Sequence, residues 1–203
     1  MRLPDPFIDA SWPGITSCLI VDNSTYQQDE LGNNKVIQVT SGSQYYSVNL
    51  EYSDLLIDEH DKVMNFIAKA KRDNAYLEVM LPQLQNLKFS ANTYVARDGL
   101  KGNKLIIPNV TTISGELKLN QYIQLSNHPK LYQVTGFAYN STTKEITLDI
   151  YPDLFITTNN SSVNFKTPLF RGRLKNMNNI DSSPLTTEMY YSSISFELRE
   201  CND

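Results

Sequence analysis

Residues 122–155, YIQLSNHPKLYQVTGFAYNSTTKEITLDIYPDLF, carry the side chains of this sequence that are best suited to proton transfer. They combine one histidine, His128, with three carboxylates, Glu145, Asp149 and Asp153. A histidine or a pair of carboxylates can act as a general acid or base when the groups are held within reach of each other. Whether these groups lie that close together depends on the strands and turns that position them.

His128 precedes Pro129 between two strand-like segments. The proline disfavours helical geometry at the residue before it, so the pattern predicts a hairpin-turn histidine that faces solvent. A general base needs a partner within hydrogen-bonding reach, and the local spacing supplies none. The sequence therefore argues against catalysis by His128, although a partner distant in the chain stays open.

Glu145 and Asp149 lie four residues apart in a segment with strand alternation. Side chains at this spacing share a face at roughly 13 Å, beyond the ~5 to 9.5 Å that separates working carboxylate pairs. The apolar residues Ile146, Leu148 and Ile150 alternate with them. We expect the acids to lie on the wet side of a barrel wall whose interior is filled.

Other chemical signatures are absent from the sequence. There is no GxxxxGK[ST], GxGxxG, HExxH or GxSxG motif. Cys18 and Cys201 lie near opposite ends without metal-ligand spacing, and His60 has no second ligand on its predicted face and is expected to be exposed. We therefore predict no catalytic, cofactor-binding or metal site, no cofactor, and a protein that is not an enzyme.

Composition narrows the possible functions further. The 203 residues carry a formal net charge of −4, which argues against tight, specific binding of nucleic acid. No apolar run approaches the ~20 residues that cross a bilayer, so no membrane contact is expected. The start MRLPDPFIDASWPG lacks the basic, then apolar, layout of a signal peptide, which predicts synthesis in a cytoplasm.

The first part of the chain reads as a small sheet with one helix. Strands are predicted at residues 16–21, 35–40, 45–52 and 76–81, the third with strict alternation. Residues 59–73 change to a helical period, with Val63, Phe66, Ile67 and Ala70 on one face. Asp58 is the predicted N-cap of this helix.

The central part has the pattern of a small barrel. Residues 157–164 are polar and of low complexity, which indicates a linker. Short strands separated by turn residues favour a closed, OB-like β-barrel. These strands are predicted at residues 87–95, 104–107, 122–126, 130–138 and 144–151.

The C-terminal segment SISFELRE, residues 193–200, alternates as a strand that needs a partner sheet. The sheet of the first 85 residues is the natural partner. The predicted fold is therefore mainly β, with a discontinuous β-sandwich-like domain of residues 1–85 and 168–203 that contains one α-helix. A small OB-like barrel of residues 86–167 is inserted into it.

Four segments carry a resemblance that covers essentially the whole chain: RLPDP, YIQLSNHPKLYQVTGF, YPDLFIT and SISFELRE. They resemble the distal tail (Dit) proteins of long-tailed, noncontractile phages, specifically the short kind with an OB-fold domain. The resemblance implies a virion structural protein whose hexameric ring joins the tail tube to the tail tip or baseplate hub. It implies no catalytic residues. The genome would pass through the ring, and the net acidic charge predicts few attractive contacts with it.

Within such a ring, we expect the β-sandwich-like domain to form the inner annulus and the barrel to project outward. The carbohydrate-binding domains of larger relatives are absent here. An alternative is a glycan-binding accessory module of the tail that makes a weak host-surface contact through the barrel, whose aromatic residues could stack on a sugar ring or else pack internally. These aromatic residues are Tyr94, Tyr122, Tyr132, Phe137 and Tyr139. A single-strand DNA-binding barrel is a third hypothesis, which lacks the basic groove that it requires.

Overall fold

The computed structural model describes residues 1–6, 9–24, 26–30, 36–40, 44–86, 94–110, 117–175 and 180–202. The helix α1 spans Ile57–Arg72, and a short 3-10 helix spans Pro82–Leu84. The strands in these ranges are β1 (Ser17–Asn23), β2 (Tyr26–Glu30), β3 (Val36–Thr40), β4 (Tyr45–Leu56), β5 (Leu77–Met80), β6 (Tyr94–Val95), β7 (Lys104–Ile107), β8 (Tyr122–Leu125), β9 (Leu131–Asn140), β10 (Glu145–Tyr151), β11 (Ser162–Asn164), β12 (Leu169–Leu174), β13 (Asp181–Ser182) and β14 (Tyr190–Glu200). The prediction of a mainly β fold with one α-helix is confirmed.

The chain forms two compact units. Unit 1 contains Met1, Leu3–Leu77 and Gly172–Cys201, and unit 2 contains Glu78–Arg171 together with Arg2 and the C-terminal residues from Asn202. The sequence predicts a β-sandwich-like domain of residues 1–85 and 168–203 and an inserted barrel of residues 86–167. This division into functional domains stays a prediction.

The first six-stranded sheet has the order β1–β4–β14–β12–β5, and β13 pairs with β14 at the side of this path. The C-terminal strand β14 pairs antiparallel with β4, with Ile194 opposite Tyr52 and Leu198 opposite Val48. These four side chains are buried, because alternate residues of each strand face one side of a sheet. The predicted return of the C-terminal strand to the N-terminal sheet is confirmed.

Helix α1 buries the predicted apolar face, since Val63, Phe66, Ile67 and Ala70 are all buried. It begins earlier than expected, directly after β4, and its N-cap residue is Leu56. The Glu59 carboxylate reaches back and accepts the backbone N–H of Leu56 at 3.0 Å. The predicted N-cap, Asp58, is wrong because strand β4 runs on to Leu56 and passes directly into the helix.

The second six-stranded sheet has the order β6–β11–β8–β9–β10–β7. Its two ends meet, because the backbone N–H of Arg97, two residues after β6, donates to the carbonyl of Ile106 in β7 at 2.8 Å. The curled sheet encloses an apolar core that includes Leu105, Tyr132 and Leu148. A barrel-like arrangement is therefore present, while its assignment as an OB-fold stays a prediction.

Two segments depart from the expected elements. The predicted linker at residues 157–164 is wrong: Thr158 and Ser161 are buried, and β11 pairs with both β6 and β8. The Thr158 hydroxyl donates to the carbonyl of Arg97, which satisfies a polar group that composition alone would place in solvent. Strand β2 pairs with β3 and was not predicted. Most of the predicted strand at residues 87–95 lies outside the described residues.

Candidate functional site

The carboxylates of β10 lie on the wet face of the barrel wall, as predicted. Ile146, Leu148 and Ile150 are buried and alternate with partly exposed residues. Glu145 forms an ion pair with Arg97, and Asp149 Oδ1 lies 3.9 Å from Lys104 Nζ. Both carboxylates thus face cations rather than each other, an arrangement typical of a solvated surface.

His128 is buried, so the prediction that it faces solvent is wrong. Its Nδ1 accepts the backbone N–H of Lys130 at 3.2 Å, and its Nε2 lies 2.8 Å from the hydroxyl of Tyr132. The turn after β8 therefore folds the ring inward over β9. Because Nδ1 is an acceptor, the bond network assigns the proton of the neutral ring to Nε2.

Burial, and secondarily the charge of Lys130, lower the pKa of His128 from 6.5 to about 4. A general base works best when its pKa lies near the operating pH. At neutral pH the ring is uncharged and connects two segments of unit 2 by hydrogen bonds. The geometry supports a structural role for this histidine.

His60 also differs from its predicted exposed position. Its ring is buried, stacks on Tyr191 at a centroid distance of 3.6 Å and places Nε2 3.0 Å from the hydroxyl of Ser182. The first turn of α1 therefore packs against β13 and β14 in unit 1. Among the described residues, no group of three or more His, Cys, Asp or Glu side chains could hold a metal ion.

Unit 2 contains an open cleft with a volume of about 500 Å3. Its lining combines a carboxylate, a guanidinium group and amides with a few apolar atoms. The residues that define its chemistry are Glu78, Gln124, Asn127, His128, Ile156 and Arg171. Such a mixture can form hydrogen bonds with a hydroxyl-rich or ionic ligand.

The five aromatic residues considered for ligand stacking do not gather at this cleft. Tyr132 is fully buried, and Tyr94 packs edge-on against Phe165. Phe137 and Tyr139 are about two-fifths exposed on β9. Of the described residues that line the cleft, none belongs to this set.

Two features of the structure were not predicted from the sequence. Phe155 is 52% exposed, and the centroid of its ring lies 6.0 Å from the centroid of the His128 ring. In unit 1, Arg173 and Arg199 lie directly opposite each other on β12 and β14. The alternating segments LFRGRL and FELRE contain the signal for this pair, but the strand register that brings the two arginines together is a tertiary feature.

The described helix is too short and too polar to span a bilayer.

Comparison with known proteins matches two successive regions of the chain. The family model for the N-terminal part of the A domain of distal tail protein pb9 covers residues 3–84, and the model for the B domain of that protein covers residues 88–170. The chain is also 37% identical over 205 residues to distal tail protein pb9 of Escherichia phage T5, with 98% of this chain and 99% of that protein covered.

These matches, on a β framework, define the chain as a structural protein of a phage tail. Within that class, it belongs to the family of distal tail protein pb9. The resemblance to distal tail proteins seen in the sequence is confirmed.

Proposed function

We propose that six copies of the chain form a ring that joins the tail tube to the tail tip complex at the distal end of the virion. The observation that carries this proposal is the match to a distal tail protein over 98% of this chain and 99% of the relative. A match of this extent leaves little of either chain for a different activity.

In this ring, the β domain of residues 1–85 and 168–203 makes the contacts between copies, and the OB-like domain of residues 86–167 is carried by it. The chain assembles in the host cytoplasm and contacts the tail tube protein and the tip or hub proteins. The net charge of −4 per copy would disfavour retention of DNA that passes through the ring. We expect no sequence-specific nucleic-acid binding.

Antibody labelling of intact particles tests the position. A distal tail protein is expected to bring the label to the tail end opposite the capsid. Label on the capsid, or no label on the tail, would contradict the proposal. A reconstruction of the tail then tests the ring, because a symmetry other than six around this chain would exclude the hexamer.

A second candidate function is a weak contact with host-surface glycan through unit 2. The favouring observation is the cleft, in which Glu78 and Arg171 could bind sugar hydroxyls beside the exposed ring of Phe155. Titration with host surface polysaccharide should reveal millimolar binding that Phe155→Ala weakens. Phe137→Ala is the matched control, since Phe137 is similarly exposed on β9, whereas the ring of Phe155 lies beside that of the cleft residue His128. No binding at millimolar sugar would remove this candidate.

A further inference from the structure

Four side chains of unit 1 form a row across one face of its sheet. Arg199 on β14 and Arg173 on β12 are direct cross-strand partners. The guanidinium carbon of Arg199 lies 4.0 Å from the centroid of the Tyr45 ring, and that of Arg173 lies 4.2 Å from the centroid of the Tyr76 ring. Each arginine is therefore held by cation–π stacking on its outer side, with the other arginine on its inner side. We call these four residues the arginine row.

Two like charges directly opposite each other destabilise an antiparallel pair. The neighbouring row on the same strands shows the opposite arrangement, because Lys175 Nζ lies 2.8 Å from Glu197 Oε1. Glu197, the nearest carboxylate to Arg199 on the same face of β14, is thus already paired with a lysine. Among the described residues, Arg173 and Arg199 form no ion pair with a carboxylate. The Nε of Arg173 is buried without a hydrogen-bond partner, so an acceptor from outside would have to meet the terminal nitrogens of that guanidinium group.

Arg199 is exposed and Arg173 is partly exposed, so both can donate to an acceptor from outside the chain. Arginine favours carboxylates, which accept two parallel N–H bonds from its planar fork. The arginine row therefore has the chemistry of a docking site for carboxylates.

The opposite end of the same sheet carries the complementary charge. Strand β4 begins at Tyr45 in the arginine row and ends at Leu56, roughly 36 Å away for a regular strand. Asp54, Asp58 and Asp61 are exposed at that far end. We call these three residues the acidic end. The nearby Lys62 ammonium donates to the Ser11 carbonyl at 3.1 Å, so it is already engaged within its own chain.

Exposed apolar side chains accompany the acidic end. Leu56 is 62% exposed and Met189 is 60% exposed, and Tyr190, next to Met189, pairs with Leu56. A partner surface for this end must offer cations together with apolar or aromatic area. The arginine row offers both, because the rings of Tyr45 and Tyr76 flank its guanidinium groups.

We propose that copies of this chain dock head to tail, with Arg173 and Arg199 of one copy binding the acidic end of the next. The inference rests on the ring proposed above and names its contact surfaces. Ring contacts are heterologous, so each copy must present two different surfaces that fit each other. A second copy of this chain supplies carboxylates and apolar area together, whereas a free oxyanion supplies only the charge.

Charge reversal tests the contact by sedimentation velocity, at protein concentrations up to about 1 mM so that weak association is measured. The wild-type chain should self-associate, and Arg173→Glu with Arg199→Glu should weaken association at least about tenfold. Asp58→Lys with Asp61→Lys should have the same effect. A chain that carries all four substitutions should recover association, because both surfaces are then reversed together.

The matched control for the arginine double variant is Lys101→Glu with Lys118→Glu. It makes the same change in net charge at two exposed positions of unit 2. It should associate like the wild type. Circular dichroism checks that each variant is folded, and a variant that fails this check is replaced by Arg199→Ala or Asp58→Asn, for which at least a severalfold loss is expected.

Mixing the two double variants gives an independent readout. In the mixture, the acidic end of one variant meets the intact arginines of the other, and the introduced glutamates meet the introduced lysines, so the mixture should recover association with the two variants alternating. Rings in either double variant, or no recovery in the folded quadruple variant, would overturn this inference and leave the ring itself intact. A wild-type chain that stays monomeric up to about 1 mM would overturn this inference, while the ring in the tail is tested separately by the reconstruction.

Discussion

The hydroxyl of Tyr132 lies 2.8 Å from Nε2 of His128 and also accepts the backbone N–H of Phe155 at 3.0 Å. Tyr132 belongs to β9, whereas Phe155 follows β10. One fully buried hydroxyl therefore ties a turn and an irregular segment to the barrel wall. Since a buried donor that loses its acceptor incurs a desolvation cost, this hydroxyl is expected to contribute to the stability of unit 2.

Replacing Tyr132 by Phe tests that contribution. The ring keeps its packing, but the N–H of Phe155 and the Nε2–H of His128 lose their acceptor, so the free energy of unfolding should fall by about 1–3 kcal/mol. Urea denaturation followed by circular dichroism and tyrosine fluorescence measures the change. Tyr139→Phe is the control, because the Tyr139 hydroxyl donates to the Val110 carbonyl at a partly exposed site. Equal losses in the two variants would contradict the assignment.

The low pKa of His128 predicts a pH dependence of stability. The pKa is about 4 in the folded chain against 6.5 as the ordinary value, so the unfolded state binds more protons between these limits. The stabilising contribution of the neutral ring is full above pH 6.5 and is lost as the pH falls towards 4. The loss amounts to roughly 3 kcal/mol if the whole difference is expressed.

Denaturation curves at several pH values between 7 and about 4 measure this slope. His128→Gln should flatten the curve over that range while also lowering stability at pH 7, because the bonds to Lys130 and Tyr132 change. An unchanged slope in the variant would show that other groups cause the pH dependence.

Much of the fold follows from alternation in the sequence. Residues 104–107 were predicted as a strand, and β7 has these bounds. The burial of Ile146, Leu148 and Ile150 also follows from period two, because one face of a strand meets the core whatever its neighbours are. The local pattern is sufficient to predict a strand and its buried face where apolar and polar residues alternate.

The failures concern polar residues that the packing of strands and turns buries. Ser161 is fully buried because β11 closes the sheet between β6 and β8, which composition cannot reveal. His128 faces inward because Tyr132 and the N–H of Lys130 satisfy both ring nitrogens. The arginine row depends on the register of β12 against β14. For Ser161 and the arginine row the deciding strand pairing is tertiary. The partners of His128 lie only two and four residues away, and the inward fold of the turn brings the ring onto them.

Gln121 offers a third prediction. Its side chain is buried, accepts from Asn86 Nδ2 at 2.9 Å and donates to the Phe165 carbonyl at 3.1 Å. Gln121→Ala removes these bonds, together with the one that Gln121 Oε1 accepts from the Lys118 N–H at 3.3 Å. It leaves the Phe165 carbonyl without this donor, so it should lower the free energy of unfolding by about 1–3 kcal/mol.

A double-mutant cycle with Asn86→Ala measures the part that depends on their mutual bond. Residues that share a hydrogen bond should give a non-additive effect of at least about 0.5 kcal/mol. Ser192→Ala is a suitable control substitution, since Ser192 is exposed on β14. Additive losses for Gln121 and Asn86 would show that this bond contributes nothing measurable.

The start of α1 gives the last prediction. Glu59 accepts the N–H of Leu56, but a leucine has no side-chain acceptor for the N–H groups of the first turn, so only half of a capping box is present. Leu56→Ser supplies the missing acceptor at a residue that already has extended backbone geometry, with φ −62° and ψ 158°. Because Leu56 is mostly exposed, little burial is lost, and the free energy of unfolding should rise by about 0.5–1 kcal/mol.

Thermal and urea denaturation at low protein concentration measure this gain apart from any association between copies. Glu59→Ala should lower stability by a similar amount, because the N–H of Leu56 then loses its acceptor. Asp58→Ala tests whether the N-cap is Leu56, as in the structure, or Asp58, as predicted from the sequence. If Leu56 is the N-cap, Asp58 interacts only with the helix dipole and its loss should cost no more than about 0.5 kcal/mol. A loss above about 1 kcal/mol for Asp58→Ala, with no gain from Leu56→Ser, would move the start of the helix back to Asp58.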